Sequence, residues 1–207
     1  MKNRKICLVG AHGTGKSTIC KKIHKACYVD YSINVMLIPE QFREVVKDIP
    51  NFKRQTEEIT SATYGIQLYF ENLYTAQGKN ILCDRSIIDT FIYYNYFNPK
   101  YTFDEGMFFG PYKLEIENDG YGYDYFLDLL ESANQYTQNT YSKIYLIEPS
   151  DREIEDDGFR MTDKKQQLEV HKLFLEYFKH LDNVEIVNQE DAHKEEFINK
   201  VVSKFIF

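Results

Sequence analysis

Short, nearly continuous apolar runs alternate along this chain with longer stretches whose apolar positions recur every three or four residues. The first run, Ile6–Gly10, is followed by Ile19, Cys20, Ile23, Ala26 and Cys27 at helical spacing. A second run, Asn34–Ile38, stops at Pro39. The spacing then predicts a helix over Glu57–Gln77, with Ile59, Ala62, Ile66, Tyr69, Phe70 and Leu73 on its inner face. Gly78 is placed to end it in the left-handed conformation. Further runs at Asn80–Asp84, Lys143–Ile147 (closed by Pro149) and Val184–Val187 bring the strands to five. A helix from Thr162 or Asp163, with Gln166 in capping-box position and Leu168, Phe174, Leu175 and Phe178 inward, separates the last two. A final helix is expected over 192–205. Apolar strands alternating with helices predict a parallel sheet covered on both faces, an α/β/α domain of three layers.

One stretch breaks this rhythm. Residues 91–141 hold 16 of the 32 Phe and Tyr residues in about a quarter of the length, punctuated by Gly106, Gly110, Pro111, Gly120 and Gly122. Phe126, Leu127, Leu129 and Leu130 argue for some helix, and the rest reads as an irregular, substrate-side insertion. Its rings either pack a satellite core over the sheet or line a pocket and stack on a planar ligand; both readings stand.

The length, 207 residues, fits a single domain spanning 1–207. No apolar run approaches the ~20 residues a membrane helix needs. The basic start, Met1 to Lys5, leads into an apolar run too short for a signal peptide and soon interrupted by Lys16, so a cytoplasmic location is expected. Cys7, Cys20, Cys27 and Cys83 show no metal or redox spacing and read as buried thiols of a reducing compartment. A net charge of −7 argues against duplex nucleic acid as a partner. Oligomeric state is left open, a homodimer included.

The strongest chemical signal is Gly10-Ala11-His12-Gly13-Thr14-Gly15-Lys16-Ser17, which fits G-x-x-x-x-G-K-[ST] between the first strand and the first helix. Average usage would produce the pattern by accident in roughly half a per cent of such chains. Gly10, Gly13 and Gly15 leave room for backbone N–H groups to wrap a phosphate, and the helix N-terminus adds its own donors and partial positive charge. Thr14 belongs to the same cradle. Lys16 would reach the β and γ phosphates, Ser17 would bind Mg²⁺, and Thr18 would touch the α phosphate. His12 is read as a spacer. The fold expected is therefore a P-loop three-layer α/β/α domain with ATP and Mg²⁺ as cofactors.

Ligands of doubly wound sheets sit beyond the carboxyl ends of the strands. There the second strand ends Pro39-Glu40-Gln41-Phe42-Arg43-Glu44 and the third Asp84-Arg85-Ser86-Ile87-Ile88-Asp89. On these residues the chain resembles the nucleoside and nucleotide kinase group of P-loop proteins. Glu40 resembles the catalytic base of deoxynucleoside kinases. Asp84-Arg85-Ser86 resembles the Asp-Arg-Tyr of thymidylate kinases and the Glu-Arg-Ser of deoxynucleoside kinases. Glu40-x-x-Arg43-Glu44, followed by Asp157-Gly158-Phe159-Arg160, looks most like the ribosylnicotinamide kinase domain and its small ATPase relatives. The likeness runs in element order from residue 5 to about 190. It departs from that group in having Asp-Arg where Asp-Thr is expected, and in the aromatic insertion.

Phosphoryl transfer needs positive charge on the moving group, an oriented acceptor and a metal. Only six arginines occur against nineteen lysines, and Arg43, Arg85, Arg152 and Arg160 fall at strand ends or flank the segment after the fourth strand, where related kinases carry a lid. The roles expected are Glu40 as general base, Asp84 as metal-binding acid, Arg85 on the acceptor with Arg43 beside it, and Arg152 and Arg160 as γ-phosphate clamps on a lid over about 150–162. Donor and acceptor would be ATP and a small nucleoside or nucleotide. A polynucleotide 5′-end kinase is the alternative within this chemistry. A GTPase switch is hinted at by Asp119-Gly120-Tyr121-Gly122 and Asn188-Gln189-Glu190-Asp191, the latter with Gln where Lys should stack on the base. A motor ATPase would want two adjacent acids after the third strand, where this chain has Asp84-Arg85.

Overall fold

Strand β1 (Lys5–Val9) is buried along its whole length and sits at the centre of a five-stranded, all-parallel sheet of order β2-β3-β1-β4-β5. The other strands are β2 (Val35–Ile38), β3 (Asn80–Asp84), β4 (Lys143–Glu148) and β5 (Val184–Asn188). The computed structural model describes residues 3–47, 49, 56–98, 121–154 and 162–206, with residues 121–124 described through their backbone. Because strand side chains alternate, β1 feeds two cores. Ile6 and Leu8 face helices α1 (Lys16–Val29) and α8 (Glu195–Ile206), where they meet Ile19, Ile23, Phe197 and Val201. Cys7 and Val9 face the opposite layer, with Phe91, Phe126, Leu130 and Phe174. That layer is built from α3 (Glu57–Ala76), α4 (Asp89–Phe97), α5 (Tyr121–Thr140) and α6 (Lys164–Phe178); the short α2 (Gln41–Val46) and α7 (Gln189–Ala192) follow β2 and β5. This is the P-loop α/β/α fold expected from the hydropathy pattern.

All four cysteines are buried and free. Among the described residues no helix is long and apolar enough to cross a membrane. Gly78 ends α3 at φ 71°, with its own N–H on the Thr75 carbonyl and that of Lys79 on the Tyr74 carbonyl at 3.0 Å each, the crossed pair of a Schellman motif.

Several helical expectations need correction. On α3 the buried side chains are Ile59, Thr60, Thr63, Tyr64, Gln67 and Glu71, whereas Ala62 is exposed, Ile66 is 36% and Tyr69 61% exposed. The inward stripe carries polar residues because they find partners there, and the apolar pattern is displaced outward. Leu168 is likewise 45% exposed, because Gln167 and His171 take the inward positions of α6. The expected last helix over 192–205 is α8, which starts three residues later and is preceded by the short α7. Within the stretch read as an irregular insertion, 89–97 and 121–140 are helical. Phe91, Tyr94 and Phe126 pack on one another in the core, with ring centroids 5.4 Å apart for Phe91–Phe126 and 4.6 Å for Tyr94–Phe126. Residues 99–120 and 155–161, which include the middle of the expected insertion and much of the expected lid, lie outside the described residues.

Candidate functional site

The chain leaves β1 for β2 on one side and reaches β4 on the other, so the crevice at the carboxyl end of β1 is the switch point of the sheet. The loop 10–15 occupies it. Gly10, Gly13 and Gly15 have φ of 132°, 73° and 76°. Gly15 is the N-cap of α1, which has no side-chain cap among the described residues, so its first N–H groups are left to the loop. Lys16 is buried, with Nζ donating to the Ala11 carbonyl at 2.6 Å and to Thr14 Oγ1 at 2.9 Å. Thr14 Oγ1 donates in turn to the Ala11 carbonyl at 3.1 Å. Burial, then the nearby Arg85 charge, lowers the Lys16 ammonium to about 7, against the pull of Asp84, Glu40 and Asp89. A site that makes an ammonium this costly is one that an anionic ligand would relieve.

The tips of β2 and β3 converge on this loop. Glu40, between β2 and α2, accepts a short hydrogen bond from Arg85 Nε and one from Arg43 Nε at 3.2 Å. Burial pushes the Glu40 carboxyl up, but Arg85, Lys16 and Arg43 outweigh it and hold the group below its usual range. Arg85 Nη1 also donates to the Gly10 carbonyl at 3.3 Å and lies 3.5 Å from Asp89 Oδ2. Its guanidinium stands 4.9 Å over the Tyr93 ring. Burial and then the Glu40 charge raise the Asp84 carboxyl, while the Ser17 side chain, Lys16 and Arg85 oppose this.

Lys16, Ser17, Glu40, Asp84 and Arg85 are thus brought together, with Arg43 at the edge. Thr18 is exposed on the first turn of α1. Arg152 is exposed as well, and its charge bears on His193. Arg160 lies outside the described residues.

Four site residues carry no role in the sequence reading. Asp89 is buried, accepts from the Ser86 N–H at 3.1 Å and from the Ser86 hydroxyl, and is raised by burial to about 6. Tyr93 belongs to the aromatic-rich stretch, yet its ring supports an arginine. Gln167 Nε2 donates to the His12 carbonyl at 2.6 Å, and a Cβ on Gly13 would lie 3.0 Å from it. His171, one turn further along α6, is 7% exposed. Neither Gln167 Oε1 nor His171 Nδ1 has a hydrogen-bond partner among the described residues. The position of Asp89, one turn beyond Arg85, is a signal the sequence does contain; buried Gln and His on a helix leave none.

Burial, with the Lys16 charge adding to it, lowers His171 to about 4 from an ordinary 6.5. Between these two values the unfolded chain takes up a proton that the folded one refuses. Stability therefore falls as pH drops from 6.5 towards 4, by about 3 kcal/mol at most. Thermal melts across this window should show that loss, and His171→Leu should flatten it; an unchanged slope in the variant would show that other groups govern the acid limb.

A parallel sheet whose central strand opens into a glycine-rich loop capping a helix defines a P-loop nucleotide-binding protein. The chain belongs to the AAA domain family, whose model matches residues 5–195. No curated protein matches the sequence. Among solved structures, that of the NadR protein in complex with NR matches with a TM-score of 0.60 and 19% identity, over 100% of this chain and 52% of that one. The present chain thus spans about half the length of that protein. At this identity the likeness is one of fold. Since 149 solved chains match, fold alone leaves the reaction open.

Proposed function

We propose that this protein is a P-loop kinase that moves the γ-phosphate of ATP, with Mg²⁺, onto a small nucleoside or nucleotide. One observation carries the reading: Glu40 and Arg85, 45 residues apart, form a partly buried acid–arginine pair from two neighbouring strand tips, facing the phosphate loop. The resemblance to ribosylnicotinamide kinase domains and the fold of the NadR protein point the same way.

In this reading the loop N–H groups and Lys16 hold the donor phosphates. Glu40 accepts the proton of the acceptor hydroxyl as its oxygen bonds to the γ-phosphorus and the bond from that phosphorus to the β–γ bridging oxygen breaks. Because its arginine partners keep it ionised and weakly basic, Glu40 mainly orients the hydroxyl, and the proton moves late, in keeping with a loose transition state. Arg85 faces the charge that develops on the transferring group or on an acceptor phosphate, with Arg43 beside it. Arg152 and Arg160 are assigned to close over the γ-phosphate from the 150–162 segment.

Ser17 and Asp84 fit a magnesium ion, since a hydroxyl on the first turn of α1 and a buried carboxylate at the end of β3 are hard oxygen donors that act on each other. When bound, the ion would neutralise charge on the donor phosphates.

A screen of nucleosides, nucleoside monophosphates and a 5′-hydroxyl oligonucleotide for ADP release tests the reading and separates the acceptor classes. Acceptor-independent release from ATP, or from GTP alone, would instead mark an NTPase or GTPase switch. With the acceptor in hand, Glu40→Gln should lower kcat about 10²- to 10³-fold while nucleotide affinity by calorimetry changes little. An unchanged kcat would remove Glu40 as base.

A further inference from the structure

Beneath the site, on the inner face of α3, Glu71 is 0% exposed and surrounded by donors. Lys5 Nζ lies 2.9 Å from its carboxylate, Tyr141 OH 2.8 Å, Tyr136 OH 3.0 Å and Gln67 Nε2 3.0 Å. Lys5 Nζ also makes a short hydrogen bond to Tyr136 OH. Burial, with the Glu71 charge next to them, raises both phenols, so Tyr136 and Tyr141 remain protonated donors. A buried ion pair is weak ground for stability, because desolvating both charges offsets their attraction. A network this complete calls for another reason.

Two of its members reach on into the turn that carries Arg85. Gln67 Nε2 donates a second bond, 2.8 Å, to the Arg85 carbonyl. The Tyr141 hydroxyl accepts from the Ile87 N–H at 2.9 Å. Asp89 holds the Ser86 N–H that lies between them. Side chains therefore grip three backbone groups in succession. Arg85 needs that grip: its φ is 92°, a region residues with a β-carbon rarely adopt. Released, the backbone would relax to an ordinary conformation and swing the guanidinium away from Glu40 and the Gly10 carbonyl.

We infer that Gln67 and Tyr141, seated on the buried Glu71–Lys5 pair, are positioning residues that hold Arg85 in its strained backbone and so aim its guanidinium into the phosphate-loop site. What Arg85 does there rests on the kinase reading; how it is held does not.

The test has two readouts. The Arg85 Nε–H resonance, assigned by its absence in Arg85→Lys, reports the ion pair with Glu40 through its exchange with solvent. In Gln67→Leu, which removes both donors at similar side-chain length, this proton should exchange at least about tenfold faster. The kcat with the acceptor found in the screen should fall about 10- to 100-fold, with KM for ATP within about twofold, as expected for a misplaced catalytic group. Tyr141→Phe deletes one hydroxyl and should move both readouts in the same direction by less. Wild-type exchange of the Arg85 proton in folded Gln67→Leu overturns the inference; should that variant fail to fold, the same result in Tyr141→Phe does so. If the wild-type protein phosphorylates no acceptor, the kinase reading fails, and the exchange rate still decides whether the clamp exists.

Discussion

Lys16→Ala is expected to cut phosphoryl transfer by about 10³-fold or more while leaving the protein at least as stable as before. The loss follows from charge: the ammonium is the loop's own cation, and one preorganised donor at a developing charge is worth about 10²- to 10³-fold, more where it also anchors the donor phosphates. Stability is retained because burial, and then the Arg85 charge, disfavour the Lys16 proton more than Asp84, Glu40 and Asp89 favour it, lowering it to about 7. Its two partners, the Ala11 carbonyl and the Thr14 hydroxyl, already bond to each other. Single-turnover assays at saturating Mg-ATP beside thermal melts separate the two effects. Turnover near the wild-type level would take the loop out of the chemistry, whereas a collapsed melt would reassign Lys16 to the core.

Gly10→Ala should have the largest effect on folding, about 3–5 kcal/mol, a large share of what a domain of this size has. The backbone at Gly10 has φ 132°, and an added Cβ would lie 2.6 Å from the Ile147 carbonyl oxygen and 3.4 Å from its nitrogen. Ile147 is on β4, hydrogen-bonded between β1 and β5, so it has nowhere to retreat. Gly65 is the matched control: it lies on α3 with nothing within 4 Å of an added Cβ, and Gly65→Ala should stabilise by up to about 1 kcal/mol. Urea denaturation of the pair gives the contrast directly; equal midpoints would mean the sheet can shift to admit the methyl group.

The two departures from the hydropathy pattern share a cause. On α3 and α6 the pattern places apolar residues inward, and the structure instead buries Gln67 and Glu71 on one helix, Gln167 and His171 on the other. Periodicity treats a polar side chain as an outward one, which holds only while water is its best partner. Glu71 has four donors and Gln67 bonds the Arg85 carbonyl, so both are cheaper inside than their chemistry suggests. Tyr93 shows the converse: it belongs to a stretch legible as aromatic, but Phe91 and Tyr94 of the same helix α4 pack the core, so which face of the helix a ring occupies decides whether it meets the site.

Strand positions, the helix stop at Gly78 and the phosphate loop were legible from local sequence, because each rests on interactions within a few residues: alternation, a left-handed glycine, N–H groups at a helix start. That the acid and arginine at the ends of the second and third strands lie beside the phosphate loop followed from the general geometry of parallel sheets. The pairing of Glu40 with Arg85 across 45 residues, the strained φ of Arg85 and the side chains that hold it were decided by tertiary structure alone. Their partners come from separate helices and strands, and no local preference encodes which polar group will be buried with which.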